Sequence, residues 1–275
     1  MFLEFKFETS FQINRQKDLE KEKGIYLDGQ EISRNHCVVH LIDNIGFFIQ
    51  DVGSTGHTFI KLTENGHVVL VEGMEILMGD SLFKVTNIES NKILFDILID
   101  YDSKEPKKER IEVKFNKSGD DIYFGKKPRK QNLEFNKDPE IDDEHTIFKK
   151  KKDKFLFCPL ITKSKSKNFL LFKNILLINF LSSWIKLGKK KISSDLYLLR
   201  KGMDFKVSDG DFRFRVENTF SEEIPLCKCK NGKVSAVAMP CRHSLCSKNL
   251  GNEKCPECNN NIEKTEKLYD LYPEI

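Results

Sequence analysis

Six of the chain's eight cysteines and one of its six histidines lie between residues 227 and 258. Thiolate and imidazole groups at close spacing are what a tetrahedral zinc site needs. The spacing Cys255-x-x-Cys258 lets both sulfurs of one tight turn reach one metal ion, and Cys241-x-His243 adds a second pair from elsewhere in the chain. A fold this small cannot bury much core, so a bound metal would substitute for it. The stretch therefore predicts a zinc-stabilised finger.

A disulfide-bonded cluster is the alternative interpretation of the same cysteines. The N-terminus shows no signal-peptide pattern, and Cys37 and Cys158 stand alone in predicted strands, which argues against it. The apolar stretch at residues 169–185 is interrupted by Lys173 and is shorter than a membrane span. We therefore expect a soluble intracellular protein, cytoplasmic or nuclear, with no membrane partner.

The cysteine-rich stretch resembles a RING finger. In that family eight ligands bind two zinc ions in a cross-brace. The resemblance assigns Cys241, His243, Cys255 and Cys258 to one complete site. The matching motifs are Cys227-x-Cys229, Pro240-Cys241-x-His243-x-x-Cys246 and Cys255-Pro256-x-Cys258.

The second zinc site of the RING pattern departs from the family. It would take Cys227, Cys229, Cys246 and the residue at position 249. The first pair is Cys-x-Cys rather than Cys-x-x-Cys, and Asn249 offers a neutral amide oxygen, which is a poor substitute for thiolate. This site either holds zinc with three sulfurs and a borrowed ligand or holds none, so the expected cofactor is one or two zinc ions.

The 275 residues are enough for two or three domains, and their charge is unevenly distributed. Residues 1–100 carry a net charge of −7, residues 101–217 carry +11 and residues 218–275 carry zero. The change of sign falls on a charged, proline-containing stretch, so we expect a linker at residues 101–110.

Residues 1–100 have the pattern of short strands separated by glycine-containing turns. Strands at this spacing without intervening amphipathic helices favour a β-sandwich. The predicted strands are residues 3–7, 37–42, 46–51, 58–62 and 67–71.

Two loops between these strands, together with Arg15, contain residue types that can bind phosphate. Ser33 and Arg34 lie in the first loop, and Thr55 lies in the second. A guanidinium group donates a fork of hydrogen bonds to phosphate, and hydroxyl groups add short neutral ones. Solvated loop residues of the same types are the ordinary alternative.

The same loops resemble those of a forkhead-associated (FHA) domain, over residues 1 to about 100. Members of that family are β-sandwiches that bind phosphothreonine peptides at one end. The resemblance implies that Arg15, Ser33, Arg34 and Thr55 contact the phosphate and that His36 braces the loops. The matching motifs are Ile13-Asn14-Arg15, Ser33-Arg34-x-His36, Asp51-Val-Gly-Ser-Thr55-x-x-Thr58 and Gly73 with Gly79-Asp80.

Residues 111–217 resemble a degenerate second copy of the first hundred residues, with an insertion at residues 163–191. Asp142 and Asp143 replace the serine and arginine of the first copy, and two carboxylates would repel a phosphate. We therefore interpret this copy as structural. The repeated segments are Leu70–Val85 with Leu199–Val216, and Ile32–His36 with Ile141–His145.

Lysine runs make this second part basic; they lie at residues 149–152, 163–167 and 189–191. They lack interleaved aromatic and arginine residues, which disfavours nucleic acid as a partner. A solvated face is the main interpretation, and an acidic protein surface is the alternative partner.

The sequence thus predicts a mainly β protein, with two FHA-like β-sandwiches in tandem followed by a small zinc-binding RING-like finger. The expected domains are residues 1–100, the linker 101–110, residues 111–217, the finger at 222–265 and a tail at 266–275.

The pairing of an FHA domain with a RING resembles ubiquitin ligases, in which the first recruits a phosphorylated protein and the second a ubiquitin-conjugating enzyme. Pro256 matches a position that contacts the conjugating enzyme. Two positions depart from the families: Gly56-His57 replaces the usual Asn-Gly, and Asn259 stands where active RING fingers often have Arg. No residue is expected to do covalent chemistry. Two functions stay open, a weakly active RING-type E3 ubiquitin-protein ligase and a catalytically inactive zinc-containing scaffold in a larger assembly.

Overall fold

The chain is mainly β, as predicted. The computed structural model contains no α-helix in the residues it describes and one 3₁₀ turn at Ser247–Asn249. No helix in this part of the chain is long and apolar enough to cross a membrane. The described residues are 9–15, 24–42, 45–62, 67–116, 119–128, 132–160, 183–187, 195–208, 212–219, 227, 233–241 and 243–269.

The strands of these residues are numbered in chain order. They are β1 (Phe11–Asn14), β2 (Gly24–Tyr26), β3 (Cys37–Ile42), β4 (Gly46–Asp51), β5 (Thr58–Lys61), β6 (Val68–Val69), β7 (Glu75–Met78), β8 (Ser81–Ile88), β9 (Lys92–Ile99), β10 (Lys107–Lys114), β11 (Asp121–Gly125), β12 (Asn132–Glu134), β13 (Thr146–Lys151), β14 (Lys154–Pro159), β15 (Trp184–Leu187), β16 (Asp195–Leu198), β17 (Asp204–Val207), β18 (Arg213–Arg215), β19 (Val234–Met239), β20 (Ser244–Cys246) and β21 (Lys264–Tyr269).

The chain forms two compact units, and each unit joins two separate segments. Unit 1 comprises Met1–Ile60 with Leu187–Leu271, and unit 2 comprises Lys61–Lys186 with Tyr272–Ile275. The domains expected from the sequence were continuous segments instead. The contacts thus divide the chain near residues 60 and 186, and the tandem boundaries stay a prediction.

Two stretches expected outside the domains contain strands. The linker expected at 101–110 runs into β10, which pairs antiparallel with β9 from Lys107 to Lys114. Its charged side chains suit an exposed strand, because pairing uses the backbone alone. The tail expected at 266–275 begins inside β21, which pairs with both β19 and β16. Residues 107–110 and 266–269 are therefore held by sheet hydrogen bonds.

Unit 1 contains an eight-stranded sheet with the order β2-β1-β3-β4-β16-β21-β19-β20. The strands β3 and β4 begin and end where the sequence predicted and form an antiparallel pair. β4 pairs with β16 and β16 pairs parallel with β21, so strands of the C-terminal finger continue the sheet. Separately, β5 pairs antiparallel with β17, and β17 pairs with β18.

One apolar cluster in unit 1 packs these strands against the finger. Phe48 of β4 and Leu198 of β16 lie in it with Val237 of β19, and all three are buried. Burial of each of these side chains stabilises the folded state by about 1.5–3 kcal/mol relative to leaving it exposed. The C-terminal strand β19 and the first strands of the chain therefore share a core.

Unit 2 has a core of phenylalanines between two sets of strands. One set has the order β12-β11-β13-β14-β6, and the other contains β10-β9-β8-β7-β15. Phe83 of β8 meets Phe124 of β11 edge to face at 5.4 Å, and Phe95 of β9 meets Phe148 of β13 at 5.4 Å. Such aromatic pairs add about 0.5–1.5 kcal/mol beyond burial. The two sheets therefore pack as a sandwich.

The repeat seen in the sequence has a counterpart in hydrogen bonding. The N–H of Gly73 donates to the carbonyl of Val85 at 2.8 Å, and the N–H of Gly202 donates to the carbonyl of Val216 at 2.6 Å. Both glycines have a positive φ, 83° and 80°, which glycine adopts without strain. The two segments therefore form the same turn, once in each unit.

Candidate functional site

A cavity of about 570 Å³ in unit 1 collects most of the predicted phosphate-binding residues. Arg15, Ser33 and Thr55 line it together. Arg34 lies beside Ser33, but its exposed side chain is not part of the lining. The structure thus brings three of the four predicted residues to one cavity.

The three residues are fixed to one another at the cavity. The N–H of Thr55 donates to Ser33 Oγ at 3.0 Å, so the Ser33 hydroxyl hydrogen is left to point elsewhere. The N–H of Arg15 donates to the Ser33 carbonyl at 3.1 Å, and Arg15 Nη1 donates to the Gln30 carbonyl at 3.2 Å. A guanidinium and a hydroxyl donor placed this way suit an oxyanion.

The loop that carries Thr55 is organised by the buried carboxylate of Asp51. Its Oδ1 accepts the N–H groups of Gly53 and Ser54 at 2.8 Å each. Its Oδ2 accepts the hydroxyls of Ser54 at 2.6 Å and Thr58 at 2.9 Å. Four hydrogen bonds on one carboxylate hold the loop in a single conformation.

His36 braces the two loops, as the FHA resemblance implied. Its Nδ1 accepts the N–H of Ser33 at 3.2 Å, and its Nε2 lies 2.8 Å from the His57 carbonyl. Burial lowers the pKa of His36, against the opposing effects of the His57 carbonyl and Asp51. A neutral ring with the hydrogen on Nε2 satisfies both contacts.

Sequence reasoning missed three residues of the cavity lining, Gln30, Glu31 and Ser208. Glu31 brings a negative charge to a cavity that also holds Arg15. Ser208 comes from far along the chain, after β17, so no local pattern pointed to it. The apolar and polar alternation along β17 shows which of its side chains are buried, but not which distant loops lie next to its C-terminal end.

The departure at Gly56-His57 has a steric reason. A Cβ at position 56 would lie 2.7 Å from the backbone carbonyl oxygen of Glu31 and 3.0 Å from the Ser208 side chain. Glycine is therefore required at position 56. His57 has a φ of 60° and takes the left-handed conformation where the family usually has glycine.

Unit 2 repeats this framework with different chemistry. The N–H of Asp142 donates to His145 Nδ1 at 3.3 Å, and Ser183 Oγ lies 3.3 Å from His145 Nε2. Lys126 Nζ donates to the Pro139 carbonyl at 2.5 Å, as Arg15 does to Gln30 in unit 1. Burial lowers the pKa of His145 to about 4.

The four predicted ligands of the complete zinc site lie together. The Sγ atoms of Cys241, Cys255 and Cys258 and a ring nitrogen of His243 all lie within 4.8 Å of one another. Cys255 Sγ is 3.5 Å from His243 Nδ1. Sulfur and nitrogen ligands on a tetrahedral zinc ion lie roughly 3.6 Å apart, so the donor set fits zinc.

Two features around this centre suit metal binding. Burial alone would raise the pKa of Cys255, but hydrogen bonds from the N–H groups of Cys258 and Glu257 outweigh it and lower that pKa to about 7. The Nε2 of His243, on the side away from the sulfurs, lies 3.8 Å from the Glu257 carboxylate. A carboxylate behind a ligating histidine orients its ring. Glu257 was not predicted from the sequence.

The weaker zinc site is described only in part. Cys227 and Cys246 are buried in the apolar cluster of unit 1, and Asn249 ends the 3₁₀ turn. Cys229 lies outside the described residues. Within the described part of the chain, the site built on Cys241 is the only Cys, His, Asp or Glu group with metal-binding spacing. The described cysteines form no disulfide with one another.

The remaining predicted contact positions differ in exposure. Pro256, the candidate contact for a conjugating enzyme, is exposed. In the lysine runs, Lys149 pairs with Asp121 at 3.1 Å and Lys150 donates to the Ser90 carbonyl at 2.5 Å. The runs at 163–167 and 189–191 lie outside the described residues.

The segment that carries Ser33 and Thr55 matches a known protein family. Residues 16–79 match the family model of the FHA domain, so the chain contains an FHA domain. An FHA domain indicates binding of phosphothreonine peptides. No curated protein and no solved structure matches the chain.

Proposed function

We propose that this chain binds phosphothreonine-containing proteins through the unit 1 groove, the cavity lined by Arg15, Ser33 and Thr55. The observation that carries the proposal is that one guanidinium and two hydroxyl residues line the same cavity. One of the hydroxyl residues, Thr55, lies on the loop that Asp51 fixes. We assign Arg34 an accessory role, because its exposed charge is next to Ser33 and attracts a dianion at longer range.

A degenerate phosphothreonine library tests the proposal. The full chain is incubated with the library and with the same library unphosphorylated, and retained peptides are sequenced. Enrichment from the phosphorylated library alone supports the proposal. Equal retention from both libraries contradicts it.

The counterpart in unit 2 is proposed to be a degenerate FHA-like site that does not bind phosphate. Asp142 and Asp143 place two carboxylates at the positions where the first copy has Ser33 and Arg34. The repeated histidine brace supports a common origin of the two frameworks. Phosphopeptides should therefore protect or shift residues of unit 1 alone.

The C-terminal segment is proposed to be a RING-type finger that holds one zinc ion through Cys241, His243, Cys255 and Cys258. The zinc would supply structure, because its ligands close loops that have little apolar core of their own. Metal analysis should give at least one zinc per chain. Cys255→Ala should lower the zinc content and the stability of the finger more than Asn249→Ala does.

A RING-type ubiquitin ligase is the second candidate function, and the exposed Pro256 beside the complete zinc set favours it. Val237, which lies in β19 just before Cys241, is buried in the unit 1 cluster and so offers no surface to a conjugating enzyme. Asn259 lacks the cation that active fingers use. A finger of this kind is expected to give slow autoubiquitination at best.

Autoubiquitination with a panel of conjugating enzymes separates the ligase from a scaffold. Activity that Asn259→Arg increases would support the ligase. Asn259 has a φ of 60°, which arginine adopts at a modest cost, so the folding of that variant is checked by its zinc content. No activity in either protein would support the scaffold.

A further inference from the structure

We infer that the phosphothreonine groove is completed by the second repeat, with Ser208 as the residue that positions the Thr55 loop. The inference rests on the proposed function of the groove. The FHA match is one continuous stretch, residues 16–79, whereas the first segment of unit 1 ends at Ile60. The strands that finish this sandwich must therefore come from elsewhere in the chain.

The strand pairs identify the source. In the first repeat β4 is followed by β5 and β6, yet β4 pairs with β16 of the second repeat, Phe48 opposite Leu198. The strand β6 pairs with β14 of the second repeat, Val68 opposite Phe157. Since Leu70 and Leu199 are matching positions, β6 and β16 are equivalent strands that have exchanged partners.

A second pair of strands follows the same rule. The strand β5 pairs with β17 of the second repeat, and β15 of the second repeat pairs with β7 of the first. Across β5 and β17, Lys206 Nζ lies 4.6 Å from the centre of the Phe59 ring. Each unit thus combines the first half of one repeat with the second half of the other.

This exchange brings Ser208 to the groove. Ser208 follows β17, lines the cavity and donates its N–H to the His57 carbonyl at 2.7 Å. The same carbonyl contacts His36 Nε2 at 2.8 Å, so the loop between Thr55 and Thr58 is held from both repeats. Ser208 has a φ of 70°, a conformation that costs a non-glycine residue energy and often marks a functional site.

The placement of Ser208 defines a role in binding. A Cβ added to Gly56 would lie only 3.0 Å from the Cβ and Oγ of Ser208, so the Ser208 side chain packs directly beside residue 56. Ser208 is buried, so it acts on a phosphate bound at Arg15 and Thr55 by holding the backbone of the Thr55 loop at the cavity. We expect Ser208→Ala to weaken phosphopeptide binding by roughly threefold to tenfold, about the effect of one hydrogen bond, because the loop loses the Ser208 hydroxyl beside residue 56.

The test is amide NMR on the full, deuterated chain, titrated with a phosphothreonine peptide from the library and its unphosphorylated form. The proposal predicts amide contacts between β4 and β16 and between β5 and β17 in the free protein. It also predicts that the phosphorylated peptide shifts the Ser208 amide together with that of Thr55. Ser103→Ala, at an exposed serine of unit 2, is the control for Ser208→Ala and should leave affinity unchanged.

The outcomes separate this inference from the proposed function. Binding that shifts Thr55 but no residue beyond 187 overturns the inference and leaves the proposed function standing. Amide contacts between β4 and β6 overturn the exchange whether or not a peptide binds. No binding by the phosphorylated peptide overturns the proposed function and the role of Ser208 with it, while contacts between β4 and β16 would still support the exchange.

Discussion

Replacing Asp51 with alanine should loosen the loop that carries Thr55 and abolish phosphopeptide binding. The carboxylate is 2% exposed and accepts four hydrogen bonds, two from N–H groups and two from hydroxyls. At about 1 kcal/mol each they contribute roughly 4 kcal/mol, and relief from burying a charge offsets part of this. The free energy of unfolding of unit 1 should therefore fall by about 2–4 kcal/mol.

Asp138 of unit 2 provides a matched control. It is fully buried and accepts the N–H groups of Asp80 at 2.9 Å and Glu140 at 2.8 Å and the Ser81 hydroxyl at 2.6 Å. Asp138→Ala should therefore cost a similar amount of stability. Because it lies outside the groove, it should leave phosphopeptide affinity unchanged wherever the protein remains folded.

Urea denaturation followed by circular dichroism measures the stability, and fluorescence anisotropy with a labelled phosphopeptide measures the binding. Asp51→Asn should be milder than Asp51→Ala, because the amide keeps one acceptor for the two N–H groups. If Asp51→Ala binds the peptide as well as the unmodified chain does, or if Asp138→Ala loses binding equally, the assignment of the loop is refuted.

Three further changes have defined outcomes. As the pH falls from 7 to 5, proton uptake at His145 should lower the free energy of unfolding by about 2 kcal/mol. The pKa of His145 is near 6.5 in the unfolded chain and about 4 in the folded protein. The unfolded chain takes up that proton first, so stability falls as the pH decreases from 6.5 towards 4, and His145→Asn should flatten this slope in urea denaturation at each pH. Glu257→Gln should weaken zinc binding roughly tenfold in a chelator competition, with Glu263→Gln as the control. Glu31→Gln should strengthen phosphopeptide binding by roughly twofold to fivefold, an effect that shrinks with added salt.

Each of these three predictions has an outcome that would contradict it. An unchanged slope in His145→Asn would mean that the pKa of His145 is the same in the folded and the unfolded protein. Equal zinc affinity in Glu257→Gln and Glu263→Gln would remove the carboxylate from the metal centre. Unchanged phosphopeptide affinity in Glu31→Gln would place the phosphate away from that side of the groove.

The sequence predicted the positions of individual strands better than the pairing between strands. The strands β3 and β4 occur at the predicted residues, because their apolar residues and the flanking turn signals mark a strand locally. Pairing partners were not predictable in the same way. Alternation says which face of a strand is buried, but two similar repeats offer each strand two equivalent partners.

The sites show the same division between local and distant information. The ligands Cys255 and Cys258 were predictable because their spacing within one turn is itself the signal. Glu257, between them, was not, because a lone acidic residue in a polar turn has the pattern of a solvated side chain. Ser208 was not predictable, because its place in the cavity depends on the pairing of β17, in the second repeat, with β5.

Strand β10 was not predicted from the sequence for a related reason. Residues 107–114 are so charged that they have the composition of an exposed connection. Their backbone groups still pair with β9, and side chains on the two strands form ion pairs such as Arg110 with Asp96 at 2.7 Å. Composition reports the exposure of side chains, not the pairing of the backbone beneath them.

The central claim is tested most directly by titrating one library-selected peptide, with and without its phosphate, into the full chain and two variants. Arg15→Ala removes the guanidinium at the groove, and Lys126→Ala removes its counterpart in unit 2. We predict that only the phosphorylated peptide binds, that Arg15→Ala weakens it at least tenfold, and that Lys126→Ala leaves it unchanged. Equal binding of the two peptides, or equal losses in the two variants, would contradict a phosphothreonine site in unit 1.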